Sequence, residues 1–235
     1  MAILSKLKGK GKKVIKKPKG KLIVIDGTDG TGKATQTKLL IATLQQAGFD
    51  VAMADFPQYG KQSAGPVEAY LNGDYGTDLN PHAASLFYAI DRFDAGSKIQ
   101  AWLDEGKMVV SNRYVTSNAG HQGSKIQDDF DRLKFFKWLD HLEYTILGIP
   151  RPDLTLILHI PAEHAHKLAK QKSKAKHLKN GREQDILEAD LNHLKQAEKT
   201  YLEIAKLFPK TKLVESMNGE EILTPKQVHN KVWEL

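Results

Sequence analysis

The chain alternates two kinds of apolar run. Short, β-branched stretches at Leu22-Ile23-Val24-Ile25, Met108-Val109-Val110 and Leu154-Thr155-Leu156-Ile157-Leu158 read as strands buried on both faces. Residues 50–55 and 212–215 read as two more. Between them, apolar residues recur at helical spacing over residues 36–47, 63–71, 82–103, 130–147, 185–207 and 225–235. Pro81 stands where the third of these helices starts; Gly48, Gly106 and Gly148 stand where helices end. Residues 161–179 read as a basic helix and loop, and Phe87 and Phe93 as core. Strands separated by helices predict an α/β fold, a parallel sheet of about five strands with helices on both faces. Ligands of such a sheet bind beyond the carboxyl ends of its strands. Three distinctive loops, residues 27–35, Phe56-Pro57 and Asn112-Arg113-Tyr114, each follow a strand and are expected to face one cleft. No linker or internal repeat interrupts residues 21–235, which read as a single domain.

The first of these loops is the most informative. Gly27-Thr28-Asp29-Gly30-Thr31-Gly32-Lys33 lies between the first strand and the first helix, the context that the G-x-x-x-x-G-K motif requires. Glycines let successive backbone N–H groups converge on phosphate oxygens, and the helix N-terminus adds partial positive charge. The phosphates of ATP are therefore assigned to Gly27, Asp29, Gly30, Thr31, Gly32, Lys33, Ala34 and Thr35, with Lys33 reaching the β- and γ-phosphates. One position departs from the motif. The Ser or Thr whose hydroxyl binds Mg²⁺ is replaced by Ala34, so either the Mg²⁺ that accompanies ATP is held by nucleotide oxygens, water and other groups, or the loop binds phosphate without efficient transfer.

Composition narrows the classes. The 235 residues include no Cys, which removes disulfide frameworks and thiolate metal sites. No apolar run approaches the roughly 18 residues of a membrane span, and no apolar signal core follows the basic N-terminus, so the expectation is a cytoplasmic protein without membrane contact. The formal net charge of +7 is uneven, because nine lysines and no acid fall within residues 1–21. Residues 1–20 read as a mobile lysine-rich tail, capable at most of weak contact with nucleic acid or anionic lipid. His164, His166, His177 and His193 match no zinc spacing, so no metal site of the protein's own is expected.

Taken together, the ordered motifs resemble the thymidylate kinase family, P-loop nucleoside monophosphate kinases, from Lys21 to Leu235. The residues that carry the resemblance are the phosphate loop through Gln36, then Phe56-Pro57, then Leu86-Phe87-Tyr88-Ala89-Ile90-Asp91-Arg92, then Asn112-Arg113-Tyr114 with Ser117-Asn118-Ala119-Gly120-His121-Gln122-Gly123. The resemblance implies a P-loop NTPase-type sheet with a mobile lid at about residues 162–184, and transfer of the γ-phosphoryl of ATP to thymidine monophosphate. It implies catalytic roles for Lys33, Arg113 and Arg182, the last from the lid. It also implies an acceptor site of Asp29, Phe56, Tyr88, Arg92, Arg113, Asn118 and Gln122. In that site Asp29 takes the sugar 3′-hydroxyl, Phe56 packs on the base or sugar, Tyr88 stacks on thymine and Arg92 reaches a base oxygen. Asn118 and Gln122 are candidates for the Watson–Crick edge, and Arg113 forks the acceptor phosphate.

Some members carry a catalytic arginine where this chain has Gly30; here Lys167, Lys170, Lys172, Lys174, Lys176, Lys179 and Arg182 are placed in the lid instead. Tyr59 stands where relatives often have a phosphate-binding arginine, with Lys61 a candidate substitute. Asn112 stands where the family has Asp, leaving Asp26, Asp29 and Asp91 as candidate outer-sphere partners of Mg²⁺. Relatives form two-fold dimers, for which Phe135, Phe136 and Trp138 are a candidate surface. Two other readings stay open: a nucleotide-binding homologue with little kinase activity, motivated by Ala34 and Asn112, and a kinase for another nucleoside or nucleoside monophosphate.

Overall fold

The computed structural model describes residues 19–76, 78–170 and 191–235. Most of the lysine-rich tail, Lys172, Lys174, Lys176, His177, Lys179, Arg182 and the first part of the helix expected over residues 185–207 lie outside the described residues. Five strands form one parallel sheet: β1 (Lys21–Asp26), β2 (Val51–Asp55), β3 (Met108–Asn112), β4 (Leu154–His159) and β5 (Thr211–Glu215), in the order β2-β3-β1-β4-β5. From β1 the chain passes to the edge strand β2, returns to insert β3 beside β1, and then adds β4 and β5 on the other side. The crevice where the order reverses lies at the carboxyl end of β1, where the glycine loop begins.

Alternation along the strands divides the core. Ile25, Val110, Leu156 and Leu158 pack against α1 (Lys33–Gln46) and α8 (Pro225–Trp233). Leu22, Val24, Val109 and Ile157 face the other way, toward α3 (Pro81–Asp104), α4 (Val115–Gly123), α5 (Asp129–Asp140) and α7 (Leu191–Leu207). A short α2 (Gly65–Leu71) packs against α3, helical residues 162–170 form α6, and Met217–Asn218 and Glu221–Ile222 pair as a small antiparallel hairpin, β6 and β7. Local chemistry sets several helix starts. Asn80 caps α3 by accepting from the His82 N–H at 2.8 Å ahead of Pro81, Asp128 accepts from the Asp131 N–H, and Thr224 and Gln227 form a reciprocal capping box on α8.

The structure corrects the sequence reading in four places. The helix expected over residues 130–147 is two elements, because after α5 the chain widens into a π-wound turn at His141–Ile146. The α4 helix was not expected; it is almost wholly buried, and its polar, glycine-rich sequence has no amphipathic stripe. Phe135 and Phe136 are core, with Trp138 packed against them, so they cannot be a dimer surface. Phe93 is exposed and Phe87 only partly buried, because the buried face of α3 runs through Ala84, Ala89, Ala95 and Ile99.

Buried α4 can approach α7 only because its contact residue has no side chain. A Cβ on Gly120 would stand 2.5 Å from the Tyr201 ring, and that ring is fixed by its own hydrogen bond to Asp26. Gly120→Ala should therefore destabilise the fold by about 1–3 kcal/mol despite its higher helix propensity. A urea midpoint equal to that of the parent would refute this account of the α4–α7 contact.

Candidate active site

The carboxyl ends of β1, β2 and β3 release the three loops expected to converge, and they do converge. Asp29, Phe56, Tyr88, Arg92, Arg113, Asn118 and Gln122 line one open cleft, together with Pro57, Tyr59, Leu71, Ser117 and His121.

The floor of the site is anchored by Asp26, which is completely buried at the end of β1. It accepts from the Gly27 N–H at 2.9 Å, Thr116 Oγ1 at 2.6 Å, Ser117 Oγ at 2.8 Å and the Tyr201 hydroxyl at 2.9 Å. Asp91 is likewise committed, to the Gln58 N–H and the Ser63 hydroxyl, and so orders the loop after β2. Two of the three acids suggested as outer-sphere metal partners, Asp26 and Asp91, thus serve as structural acceptors.

In the glycine loop, Thr31 Oγ1 donates to the Thr28 carbonyl at 2.8 Å, and Gly32 takes a left-handed conformation (φ 90°) immediately before α1. Ala34 is half-buried and Thr35 exposed in the first turn of α1, where the Thr35 and Gln36 N–H groups both donate to the Gly32 carbonyl at 3.0 Å. Gly30 (φ 88°) passes under α6: a Cβ there would lie 2.0 Å from the Ala165 carbonyl oxygen. An arginine at position 30, as in some relatives, has no room in this arrangement.

Lys33 Nζ donates to the carbonyls of Thr28 (2.8 Å) and Gly27 (3.0 Å) and reaches Asp29 Oδ1 at 3.3 Å. Arg113 Nη2 donates to the same Asp29 oxygen. Burial works against ionisation of Asp29, but Arg113, Lys33 and His121 outweigh it and hold the carboxyl far below its usual range. Arg113 is stabilised as the cation: burial opposes its charge and Asp29 more than compensates. Burial and the nearby Arg113 bring Lys33 down to about 8, against the opposing pull of Asp29 and Asp26.

Arg113 sits at φ 64°, a conformation costing a non-glycine residue about 1–3 kcal/mol. Its N–H donates to the Ile25 carbonyl at 2.9 Å and its carbonyl accepts from Ser111 Oγ at 2.6 Å, which turns the side chain back toward Asp29. Arg113 Nη1 lies 3.3 Å from His121 Nε2, and His121 Nδ1 lies 3.3 Å from His193 Nε2. Arginine only donates, so His121 Nε2 accepts and its Nδ1–H points to His193. Burial, with Arg113, His193 and Lys33, keeps His121 well below the ordinary histidine value.

Other expected residues carry unexpected partners. Arg92 is buried in a bidentate pair with Glu143 at 2.6 Å on both oxygens. Asn112 donates to Asp55 at 2.7 Å, bringing a carboxylate beside the position where the family has Asp. Lys61 is held by Gln58 Oε1 and Asp94 and is not among the cleft residues, so it does not replace the missing arginine at Tyr59. Sequence reasoning missed Glu143 and assigned no role to His121 or Ser117.

Comparison with known proteins gives a consistent result. A family model described as thymidylate kinase matches residues 25–231. A thymidylate kinase of Mycobacterium tuberculosis (strain H37Rv) is 32% identical over 188 residues, covering 78% of this chain and 85% of that protein. A probable thymidylate kinase of Thermococcus kodakarensis is 28% identical over 220 residues, covering 89% and 94%. The solved structure of thymidylate kinase from Candida albicans has the same fold, with a TM-score of 0.70 at 24% identity over 92% of this chain and 90% of that one.

The Lys33 environment sets a pH dependence. A lysine near 8 is charged below that pH, and only the charged form attracts phosphate, so affinity should be flat below pH 8 and fall above it. The loss approaches tenfold per pH unit. Calorimetric titration of ATP between pH 6.5 and 9.5 reads this directly; a flat profile to pH 9.5 means that Lys33 keeps its proton.

Proposed function

Because this chain belongs to the thymidylate kinase family, a family of ATP-dependent nucleoside monophosphate kinases, it transfers the γ-phosphoryl of ATP to thymidine monophosphate, and we propose that the residues around Asp29 divide that work as follows. The observation that carries the assignment is the meeting of Lys33 and Arg113 on one carboxylate oxygen, between the glycine loop and the cleft.

On the ATP side, residues 27–35 cradle the phosphates through backbone N–H groups and the N-terminus of α1, and Lys33 neutralises charge on the transferring group. Mg²⁺ enters with ATP as part of the substrate. Among the described residues no group of three or more His, Asp or Glu side chains is placed to hold a metal ion, and Ala34 offers only a methyl.

On the acceptor side, Arg113 grips the monophosphate by a bidentate fork. Both cations reach Asp29 Oδ1, which leaves Oδ2 to accept from the sugar 3′-hydroxyl. Phe56 and Tyr88 supply apolar faces for the sugar and base. Arg92, Asn118 and Gln122 line the base end. The attacking oxygen is already anionic, so no general base or covalent intermediate is required. Catalysis comes from in-line positioning and from cations around the transferring group. Arg182, outside the described residues, remains the candidate for a further cation in the transition state. Residues 21–235 act as one catalytic domain with a lid at about residues 162–184, and residues 1–20 as a tail. A cytoplasmic location fits a chain with no Cys, and among the described residues no helix is long and apolar enough to cross a membrane.

A coupled assay with ATP, Mg²⁺ and a panel of pyrimidine monophosphates tests the assignment. Thymidine monophosphate should be turned over, and Lys33→Ala and Arg113→Ala should each lower kcat/KM by at least about 10²–10³-fold with the fold intact. Near-parent rates in either variant would remove that residue from the site.

The dimer expected of the family has a better surface than the buried Phe135 and Phe136. Leu86, Ile90 and Phe93 are 42%, 50% and 55% exposed and fall four and three residues apart, forming one apolar stripe along α3. We assign the two-fold interface to this stripe. The double variant Ile90→Asp, Phe93→Asp should sediment as a monomer where the parent is a dimer; a dimer that survives both charges places the interface elsewhere.

A further inference from the structure

The base end of the cleft contains two amides that differ in one respect. Asn118 Nδ2 donates to the Ser85 carbonyl at 3.0 Å and to Glu143 Oε1 at 3.3 Å. Both of its N–H groups are spent. The amide cannot turn over without setting its oxygen against a carbonyl and a carboxylate, so Oδ1 is fixed as the acceptor it offers to the cleft. Gln122 is wholly buried and lines the same cleft, yet neither Nε2 nor Oε1 has a partner among the described residues. Its amide can present either edge.

Glu143 is also what holds Arg92. Its two oxygens take Arg92 Nε and Nη2 at 2.6 Å each, and the remaining guanidinium donors include Nη1, which lies 3.4 Å from the Tyr114 carbonyl. Arg92 is 1% exposed and Glu143 0%. One carboxylate thus fixes a donor group and an acceptor group that line the same cleft.

The order of donor and acceptor distinguishes pyrimidines. Thymine and uracil carry an N3–H donor beside the O4 acceptor; cytosine carries an N3 acceptor beside an N4 amino donor. A fixed arginine donor and a fixed amide acceptor match the first pair. Cytosine would set donor against donor and acceptor against acceptor. Gln122, free to turn, adapts to either base and so adds affinity without selectivity.

We propose that Glu143 is the specificity-determining positioning residue of this cleft, selecting pyrimidines with an N3–H donor by pinning Arg92 and the Asn118 amide at once. This inference rests on reading the cleft as the acceptor site. Sites built to hydrogen-bond a substrate reject mismatched analogues by large factors, because buried polar groups are left unpaired.

The test compares kcat/KM for thymidine monophosphate and deoxycytidine monophosphate in the parent and in Glu143→Gln. Glutamine keeps the shape but replaces one acceptor by an amino group, so Arg92 loses one of its two partners whichever way the amide turns, and Asn118 loses its own when the amino group stands in place of Oε1. The thymidine-to-cytidine ratio should fall at least tenfold, with the KM for ATP unchanged. A merely structural role would lower both acceptors alike and leave the ratio where it was; that result overturns the proposal. Where Glu143→Gln does not fold, Glu143→Asp, which keeps the charge and shortens the reach, reads the same ratio. Loss of folding in both variants would make Glu143 an element of the core rather than of selectivity, and also overturns it. A parent enzyme with no turnover of thymidine monophosphate strikes the assignment of the cleft itself, whereas a selective parent with an unchanged ratio in a folded variant strikes Glu143 alone.

Discussion

A carboxylate with no access to water holds the working parts of this molecule together. Asp26 ends the central strand and has to be satisfied by the protein, because an uncompensated buried charge costs several kcal/mol. Its donors come from three different segments: the first peptide of the glycine loop, Thr116 and Ser117 on α4, and Tyr201 on α7. Satisfying Asp26 therefore sets the phosphate loop, the base-facing helix and the helix behind it in one mutual arrangement. Asn118, His121 and Gln122 lie on α4 within two turns of that anchor, and Gly120 is what lets the Tyr201 ring come close enough to join it.

Around this hydrogen-bonded floor stands a second, differently built set of charges. Asp29 is shared by Lys33 and Arg113, which keeps two cations close without letting them repel each other freely. Both are partly desolvated, so their attraction for phosphate is stronger than it would be in water. The left-handed turn at Arg113 is tolerable because backbone bonds to Ile25 and Ser111 hold it on both sides. His121 adds a neutral acceptor to the back of the guanidinium, which orients it without subtracting charge.

What could be read from the chain beforehand follows from which interactions are local. Strands buried on both faces, the glycine loop and the convergence of three post-strand loops all leave periodic or punctuating signals, and each is where it was expected. Residues that act through partners far along the chain leave none. Arg92 and Glu143 are 51 positions apart, and nothing in either neighbourhood marks the pair. The α4 helix is hidden for a related reason. A helix buried on all sides by polar satisfaction and glycine contacts shows no apolar stripe, so its side chains read as a loop motif. Phe93 misled in the opposite sense: with Leu86 and Ile90 it has the spacing of a core face, and spacing does not say which face of a helix meets the sheet.

The two sets of groups also separate two tasks that one set could not perform. Cations at the glycine loop attract any polyphosphate or monophosphate, and their long-range pull carries no information about the base. Identity has to be read by short, directional contacts, and those discriminate only if the reader cannot adjust. Asn118 meets that condition through its two spent N–H groups, and Gln122 does not. Burying an arginine–glutamate pair to obtain that rigidity is a poor route to stability, since well-packed apolar side chains of similar volume often do as well or better. Its value lies in geometry: at 2.6 Å on both oxygens the guanidinium has one plane available to it, and whatever base enters the cleft must conform to that plane.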